Sequence, residues 1–199
     1  MDIVLVGLPG SGKSAVGRRL SHRHGATFID LDERIETGTG QTIPEIFADK
    51  GEVAFRAIER RAVADLGPAD PEAAVRRVIA SGGGAVVDPR NRWSLYRGRT
   101  VVWLDGRPEV LAQRLRRSPR VRPLVVGRDP IGAVRDLAAR RERFYAAADI
   151  RITGVAEVPD VIRAIETRLA DDRSGDGTSL LRAATAIGRV VIGDAIAAT

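Results

Sequence analysis

The chain has 199 residues with no cysteine and two histidines, which excludes thiolate catalysis, iron–sulfur clusters and Cys-ligated zinc and argues against a multi-histidine metal centre. Hydrophobic residues make up 44% and charged residues 29%, as in a globular domain rather than a disordered or membrane-spanning chain. Of the 32 basic residues only Lys13 and Lys50 are lysines, and the net charge is +6. The start is unlike a secretory signal, and we expect a soluble cytoplasmic protein.

Short apolar runs alternate with stretches of helical character, which predicts βαβ units and a parallel sheet. The predicted strands cover residues 3–7, 27–30, 78–81, 100–104 and 149–152. The predicted helices cover residues 12–23, 51–64, 108–117, 131–147 and 158–170. Between residues 117 and 130, three prolines without a clear period predict a mobile loop.

Arginines are concentrated in residues 114–143, which hold ten of them against three acidic residues. Such a segment attracts anions: nucleotide phosphates, a carboxylate substrate or a nucleic-acid backbone. The strong preference for arginine over lysine could equally reflect a GC-rich coding sequence.

The composition changes after Ala170. Residues 171–177 are polar and contain glycine, as in a linker, and residues 178–199 are apolar without an aromatic residue. We therefore predict one domain over residues 1–170 and a linker with a C-terminal tail over residues 171–199. The tail could be a docked helix, a frayed end or the start of a further segment.

Residues 7–14, Gly-Leu-Pro-Gly-Ser-Gly-Lys-Ser, fit the phosphate-binding pattern G-x-x-x-x-G-K-[ST] between a predicted strand and helix. Glycines let the backbone wrap a phosphate chain, and the helix N-terminus attracts it. Lys13 would reach the β- and γ-phosphates, and the Ser14 hydroxyl would bind Mg²⁺. The predicted ATP-binding loop comprises Gly10, Ser11, Gly12, Lys13, Ser14 and Ala15.

Two further motifs follow predicted strands. In Phe-Ile-Asp-Leu-Asp, residues 28–32, strand alternation would place Asp30 and Asp32 on one face. One carboxylate could hold a magnesium-bound water and the other accept a proton from an attacking hydroxyl, or the acids could charge the start of a short helix. The triplet Gly82, Gly83 and Gly84 would let a substrate reach the backbone, or form a plain loop.

Three arginines stand out by position. Arg56 lies three residues before Glu59 on a predicted helix, so the glutamate can orient the guanidinium, although most such pairs are solvated surface pairs. Arg122 lies in the predicted mobile loop and could close over bound phosphates. Arg141 lies one helical turn before Tyr145 on a helix expected to return toward the pocket.

In combination, the order and spacing of these motifs resemble the shikimate kinases, small P-loop kinases of aromatic amino-acid biosynthesis. The resemblance covers nearly all of residues 1–170 and includes Ile-Asp-Leu-Asp, Ile-Phe-Ala-Asp-Lys-Gly-Glu-Val-Ala-Phe-Arg-Ala-Ile-Glu, Gly-Gly-Gly-Ala-Val, Arg-Pro-Leu and Arg-Glu-Arg-Phe-Tyr. It implies a nucleoside-kinase-like α/β fold of three layers, α/β/α, with a five-stranded parallel sheet and a mobile lid. The implied reaction is ATP-dependent phosphorylation of the 3-hydroxyl of shikimate.

The resemblance also implies residue roles. Asp32 would be the substrate-hydroxyl ligand and base, Asp30 would reach Mg²⁺ through water, and Arg122 would join Lys13 at the transferring phosphate. The implied shikimate-binding residues are Asp32, Arg56, Gly82, Gly83, Gly84 and Arg141, above an apolar wall of Phe47 and Phe55. The implied adenine-binding pair is Arg116 and Pro159, with Arg114 and Arg117 as competing candidates. The implied partners are ATP and shikimate, with neither nucleic acid nor a membrane, and the chain would be a monomer.

Two other functions remain open. Another small-metabolite P-loop kinase, such as a gluconate kinase, would share the phosphate-binding loop but not the glycine triplet with the Arg-Pro-Leu lid. A nucleic-acid-binding P-loop module would use the arginine-rich segment. That segment has few aromatic residues for base stacking, with only Phe144 and Tyr145 near its end.

Overall fold

A computed structural model describes residues 1–70, 74–117, 129–154 and 157–174. Within them, five parallel strands form one sheet in the order β2-β3-β1-β4-β5. The strands are β1 Asp2–Val6, β2 Thr27–Asp30, β3 Arg77–Ala80, β4 Thr100–Asp105 and β5 Ile150–Thr153. The predicted parallel α/β fold and its five strands are confirmed, with ends shifted by at most one residue.

The described helices are α1 Lys13–His24, α2 Leu31–Thr39, α3 Ile43–Ala64, α4 Pro89–Tyr96, α5 Pro108–Arg117, α6 Pro130–Tyr145 and α7 Val158–Ser174. A 3₁₀ turn, Ala85–Val87, precedes α4. Helix α2 was considered only as the alternative interpretation of the acidic pair, and α4 and the first part of α3 were not predicted. Helix α7 extends four residues beyond its predicted end, into the first residues of the expected linker.

The unpredicted helices begin with local capping signals. Asp88 accepts a hydrogen bond from the backbone N–H of Arg90, and proline follows it at the first position of α4. Thr42 and Glu45 form a reciprocal capping box at the start of α3. Short helices with such caps carry too few turns to show a clear apolar period.

Strand β1 shows how the layers form. Ile3 and Leu5 pack in one apolar cluster and Val4 and Val6 in another, because successive side chains leave a strand on opposite faces. One face is covered by α1 and α7 through Val16, Leu20, Ile162 and Ile165. The other is covered by α2 to α6 through Leu31, Val63, Leu95, Leu111 and Val134. The result is the predicted three-layer α/β/α sandwich.

Helix α3 is not straight. At Gly51 the backbone turns to φ 76° and ψ 175°, which interrupts the helix before its second part continues to Ala64. A β-carbon at Gly51 would meet no atom within 4 Å, so the backbone conformation rather than crowding favours glycine. The break sets the direction of the second part, which carries Arg56 and Glu59.

None of the helices in the described ranges combines the length and apolarity that crossing a bilayer requires. The predicted tail over 178–199 lies outside the described residues.

Candidate active site

The turn after β1 holds the ammonium group of Lys13. At Gly7 φ is 141°, and a β-carbon would lie 2.6 Å from the carbonyl oxygen of Leu104, so glycine is required. The turn ends at Gly12, the N-cap of α1. Lys13 Nζ donates hydrogen bonds to the carbonyl oxygens of Gly7 at 2.8 Å and Leu8 at 3.0 Å. A buried cation and a helix N-terminus therefore meet at this turn, which favours phosphate binding.

Two oxygen-bearing side chains meet beside this turn. The Ser14 hydroxyl donates to Asp30 Oδ2 at 2.6 Å, and Asp30 Oδ1 accepts from the backbone N–H groups of Asp32 at 3.0 Å and Glu33 at 3.4 Å. These bonds orient a largely buried carboxylate. Hydroxyl and carboxylate oxygens suit a hard cation such as Mg²⁺. Since no three His, Cys, Asp or Glu side chains of the described residues are placed to hold a metal ion together, such an ion would need phosphate and water oxygens as well.

Asp32 does not lie on a strand beside Asp30, contrary to the prediction from strand alternation. Strand β2 ends at Asp30, and Asp32 lies in the first turn of α2, so strand alternation does not place it. The helix brings it to the turn of residues 82–84, which we call the glycine turn. A β-carbon on Gly82 would lie 2.6 Å from Asp32 Oδ1. The acids do start a short helix, and that helix is what carries Asp32 to the glycine turn.

The glycine turn lies where the phosphate-binding loop meets a group of arginines. A β-carbon on Gly83 would lie 3.0 Å from the ring of Pro9. A β-carbon on Gly84 would lie 3.0 Å from Arg56 Nη1 and 3.5 Å from Arg141 Nη2. Side chains at the triplet would therefore displace these neighbours, which explains why three consecutive glycines occur here.

Arg56 is held by two glutamates. Its Nη1 donates to Glu59 Oε2 at 2.9 Å and its Nη2 to Glu52 Oε1 at 3.1 Å. The Glu59 side chain is only 3% exposed, so this is not the solvated surface pair that the spacing alone allowed. Burial raises the pKa of Glu59, and the adjacent Arg56 guanidinium only partly opposes that rise. Burial also acts to lower the pKa of Arg56, but its glutamate partners raise it overall, so it stays cationic.

Arg141 and Tyr145 on α6 converge on one backbone atom. Arg141 Nη1 and the Tyr145 hydroxyl each donate to the carbonyl oxygen of Gly83 at 2.7 Å. Both side chains are buried. The sequence pattern placed Arg141 near the pocket but contained no signal for the contact of Tyr145.

An apolar pair lies on α3 beside Arg56. The rings of Phe47 and Phe55 are 4.6 Å apart between centroids, and the Arg56 guanidinium lies 5.3 Å from the Phe55 centroid. Phe55 is buried, and Phe47 packs against the same cluster.

A cavity of about 460 Å³ opens beside the phosphate-binding loop, between α5 and the start of α7. Its lining includes Gly10, Gly12, Ala15, Arg114, Arg117 and Val158. Arg114 and Arg117 are three residues apart and share one face of α5. Among the described residues, Arg116 and Pro159 are not part of this lining. Of the three candidate arginines, Arg114 and Arg117 therefore line this cavity and Arg116 does not.

The family model for shikimate kinase matches residues 9–170. The chain belongs to the shikimate kinase family. A shikimate kinase from Symbiobacterium thermophilum is 46% identical over 86% of this chain and 97% of its own length, and one from Caulobacter vibrioides is 43% identical over 84% and 81%.

Two solved structures of shikimate kinases are also similar to this chain. A shikimate kinase from Acinetobacter baumannii in complex with shikimate has a TM-score of 0.78 and 35% identity, over 86% of this chain and 93% of that one. The shikimate kinase from Aquifex aeolicus has a TM-score of 0.73 and 31% identity, over 88% and 100%.

For this shikimate kinase family member, a phosphotransferase, the structure brings most of the expected site residues together. Asp32, Arg56 and Arg141 surround the glycine turn, and Lys13 and Ser14 belong to the phosphate-binding segment whose Pro9 packs against Gly83. Arg122 lies outside the described residues, as does most of the predicted lid loop.

Proposed function

We propose that this shikimate kinase transfers the γ-phosphoryl group of ATP to the 3-hydroxyl of shikimate. The observation that carries the proposal is the contact of the phosphate-binding loop, through Pro9, with a glycine turn that faces a carboxylate and two arginines. The family membership and the shikimate complex of the 35% identical A. baumannii enzyme support it.

The acceptor site suits a hydroxylated ring with a carboxylate. Guanidinium groups bind carboxylates through paired hydrogen bonds, so Arg56 and Arg141 would hold the carboxylate of shikimate. Asp32 would accept a hydrogen bond from a ring hydroxyl, and the backbone of the glycine turn would contact the ring. Phe47 and Phe55 would form the apolar wall beneath it.

The donor site would hold ATP by its phosphates. Backbone N–H groups of residues 10–15 would bind the β- and γ-phosphates, and Lys13 would exchange its bonds to backbone carbonyls for phosphate oxygens. Adenine would lie in the cavity beside Arg114 or Arg117 rather than Arg116. An arginine of the lid, Arg122, would neutralise charge on the transferring phosphate.

Ser14 and Asp30 fit a magnesium site. Their hydrogen-bonded oxygens are hard ligands beside the helix N-terminus where the phosphates would bind. When bound, the ion would neutralise charge on the phosphate oxygens. As the family resemblance implies, Asp30 would reach the ion through water.

Asp32 would take the proton of the attacking hydroxyl. The hydroxyl oxygen would bond to the γ-phosphorus as the bond to the ADP oxygen breaks, and Asp32 Oδ1 would receive the hydroxyl proton. Alignment of the substrate by Arg56 and Arg141, and charge neutralisation by Lys13, Arg122 and the magnesium ion, would supply the rest of the catalysis. We further infer a cytoplasmic, monomeric enzyme whose activity resides in residues 1–174.

The test is a steady-state assay of ADP release with shikimate, with D-gluconate as the control substrate and mass spectrometry of the product. We expect shikimate-dependent ADP release in a one-to-one ratio with shikimate 3-phosphate, and little turnover of gluconate. ADP release that is independent of shikimate, or preferred turnover of gluconate, would refute the proposal.

A further inference from the structure

The hydroxyl of Tyr145 lies in a buried contact between α6 and the glycine turn. The side chain is 2% exposed, its ring lies 5.9 Å from that of Trp103, and its hydroxyl donates to the Gly83 carbonyl oxygen at 2.7 Å. Arg141, one turn earlier, donates to the same oxygen at 2.7 Å. A carbonyl oxygen has two lone pairs, so these two donors use its full capacity.

The glycine turn needs such contacts to keep one conformation. Glycine has the largest conformational freedom of any residue, and three in succession lose the most entropy on being ordered. The outer two carbonyls bond locally: Gly82 accepts from the N–H of Ala85 and Gly84 from that of Val87. The Gly83 carbonyl instead accepts from side chains of α6, more than fifty residues away in sequence.

The direction of the Gly83 carbonyl also determines the backbone geometry of Gly84. The peptide unit is planar and trans, so the direction of the Gly83 carbonyl sets that of the Gly84 N–H. It also sets where the α-carbon of Gly84 lies, and a β-carbon on that atom would meet the guanidinium groups of Arg56 and Arg141.

We propose that Tyr145 is a positioning residue that holds the glycine turn in its substrate-binding conformation through the Gly83 carbonyl. The proposal rests on the proposed function, in which this turn contacts shikimate. Burial raises the pKa of the Tyr145 phenol, although Arg141 opposes the rise, so the hydroxyl stays protonated and remains a donor.

The test compares Tyr145→Phe with Tyr96→Phe. Tyr96 is the matched control, because it is also buried and its hydroxyl also donates to a backbone carbonyl, that of Phe144 at 2.9 Å. Each variant loses one hydrogen bond from a tyrosine hydroxyl to a backbone carbonyl, so both melting temperatures should fall. For Tyr145→Phe we expect the KM for shikimate to rise about three- to tenfold, with kcat and the KM for ATP within about twofold of wild type. Tyr96→Phe should change neither KM.

Two tyrosine analogues at position 145 test whether hydrogen-bond donation by this side chain is what matters. 4-Aminophenylalanine restores a donor and should restore the KM for shikimate. 4-Methylphenylalanine fills the space of the hydroxyl but has no donor, so it should keep the raised KM. It also replaces Tyr145→Phe as the test if the gap left by phenylalanine unfolds the protein. An unchanged KM for shikimate in Tyr145→Phe, an equal rise in Tyr96→Phe, or no rescue by the amino analogue would overturn the proposal. Failure of the proposed function is separate, since wild-type enzyme would then show no shikimate turnover.

Discussion

The most direct perturbation of the acceptor site is Gly82→Ala. The new β-carbon would lie 2.6 Å from Asp32 Oδ1, whereas ordinary contacts begin at 3.4 Å. The Asp32 carboxylate would therefore have to retreat by roughly 0.8 Å, the difference between these two distances. Because the obstacle is the end of a side chain, rotation of Asp32 can relieve the clash.

The expected costs to stability and activity differ. An off-rotamer side chain costs about 0.5–1.5 kcal/mol, and the lower chain entropy of alanine in the unfolded state returns about 0.4–1 kcal/mol. The free energy of unfolding should therefore change by less than about 1 kcal/mol. A misplacement of this size in a catalytic group lowers activity by about 10²-fold, which is about 2.7 kcal/mol of transition-state stabilisation.

The assay measures kcat/KM for shikimate beside urea unfolding. Gly38→Ala is the matched control, because Gly38 lies within the same helix as Asp32 and its β-carbon would meet no atom within 4 Å. We expect Gly38→Ala to keep wild-type activity. Gly82→Ala with kcat/KM within threefold of wild type would refute the placement of Asp32 against the substrate.

Four other changes test separate parts of the structure. Lys13→Ala should lower kcat by about 10²–10³-fold or more while the protein stays folded by circular dichroism, because it removes the cation at the phosphates. Gly51→Ala should lower the free energy of unfolding by about 1–2 kcal/mol in urea melts, since φ is 76° there, whereas Gly38→Ala should raise it by up to about 1 kcal/mol. Since the folded-state pKa of Glu59 is raised above 4.5, wild-type protein should lose stability as the pH rises from 4.5 through that pKa. Glu59→Gln should lack this loss, so parallel melting curves of the two proteins against pH would contradict the burial argument. A chain that ends after Ser174 should keep wild-type turnover, and loss of most activity in a folded truncation would assign the tail a role.

Some features were predictable because their signals are local. A parallel strand buried on both faces must be largely apolar, which marks the three central strands β3, β1 and β4. The edge strands β2 and β5 are partly exposed and carry a shorter apolar signal. Phosphate binding requires glycine, lysine and a hydroxyl at set spacings, which marks the loop before α1. Helix α4 was not predicted and α2 was only an alternative, because helices of eight and nine residues are stabilised mainly by end caps and by packing.

The site was only partly predictable. The resemblance grouped Asp32 with the glycine turn, and the structure brings the two together. The separate argument from strand alternation is wrong for Asp32, because the strand ends at Asp30 and a helix begins at Leu31. The arginines of α5 could not be ranked from their spacing, since which face meets the cavity depends on how the helix packs on the sheet.

From the order of its residues alone, this chain specifies a parallel α/β kinase fold, its phosphate-binding loop and the residue types around its acceptor. Only the tertiary structure decides that Glu59 is buried, that the glycine turn touches Pro9, and that Tyr145 bonds to a carbonyl 62 residues earlier in the chain. The physical reason is that burial and hydrogen-bond geometry depend on neighbours supplied by distant segments, whereas capping, periodicity and phosphate binding are set within a few residues.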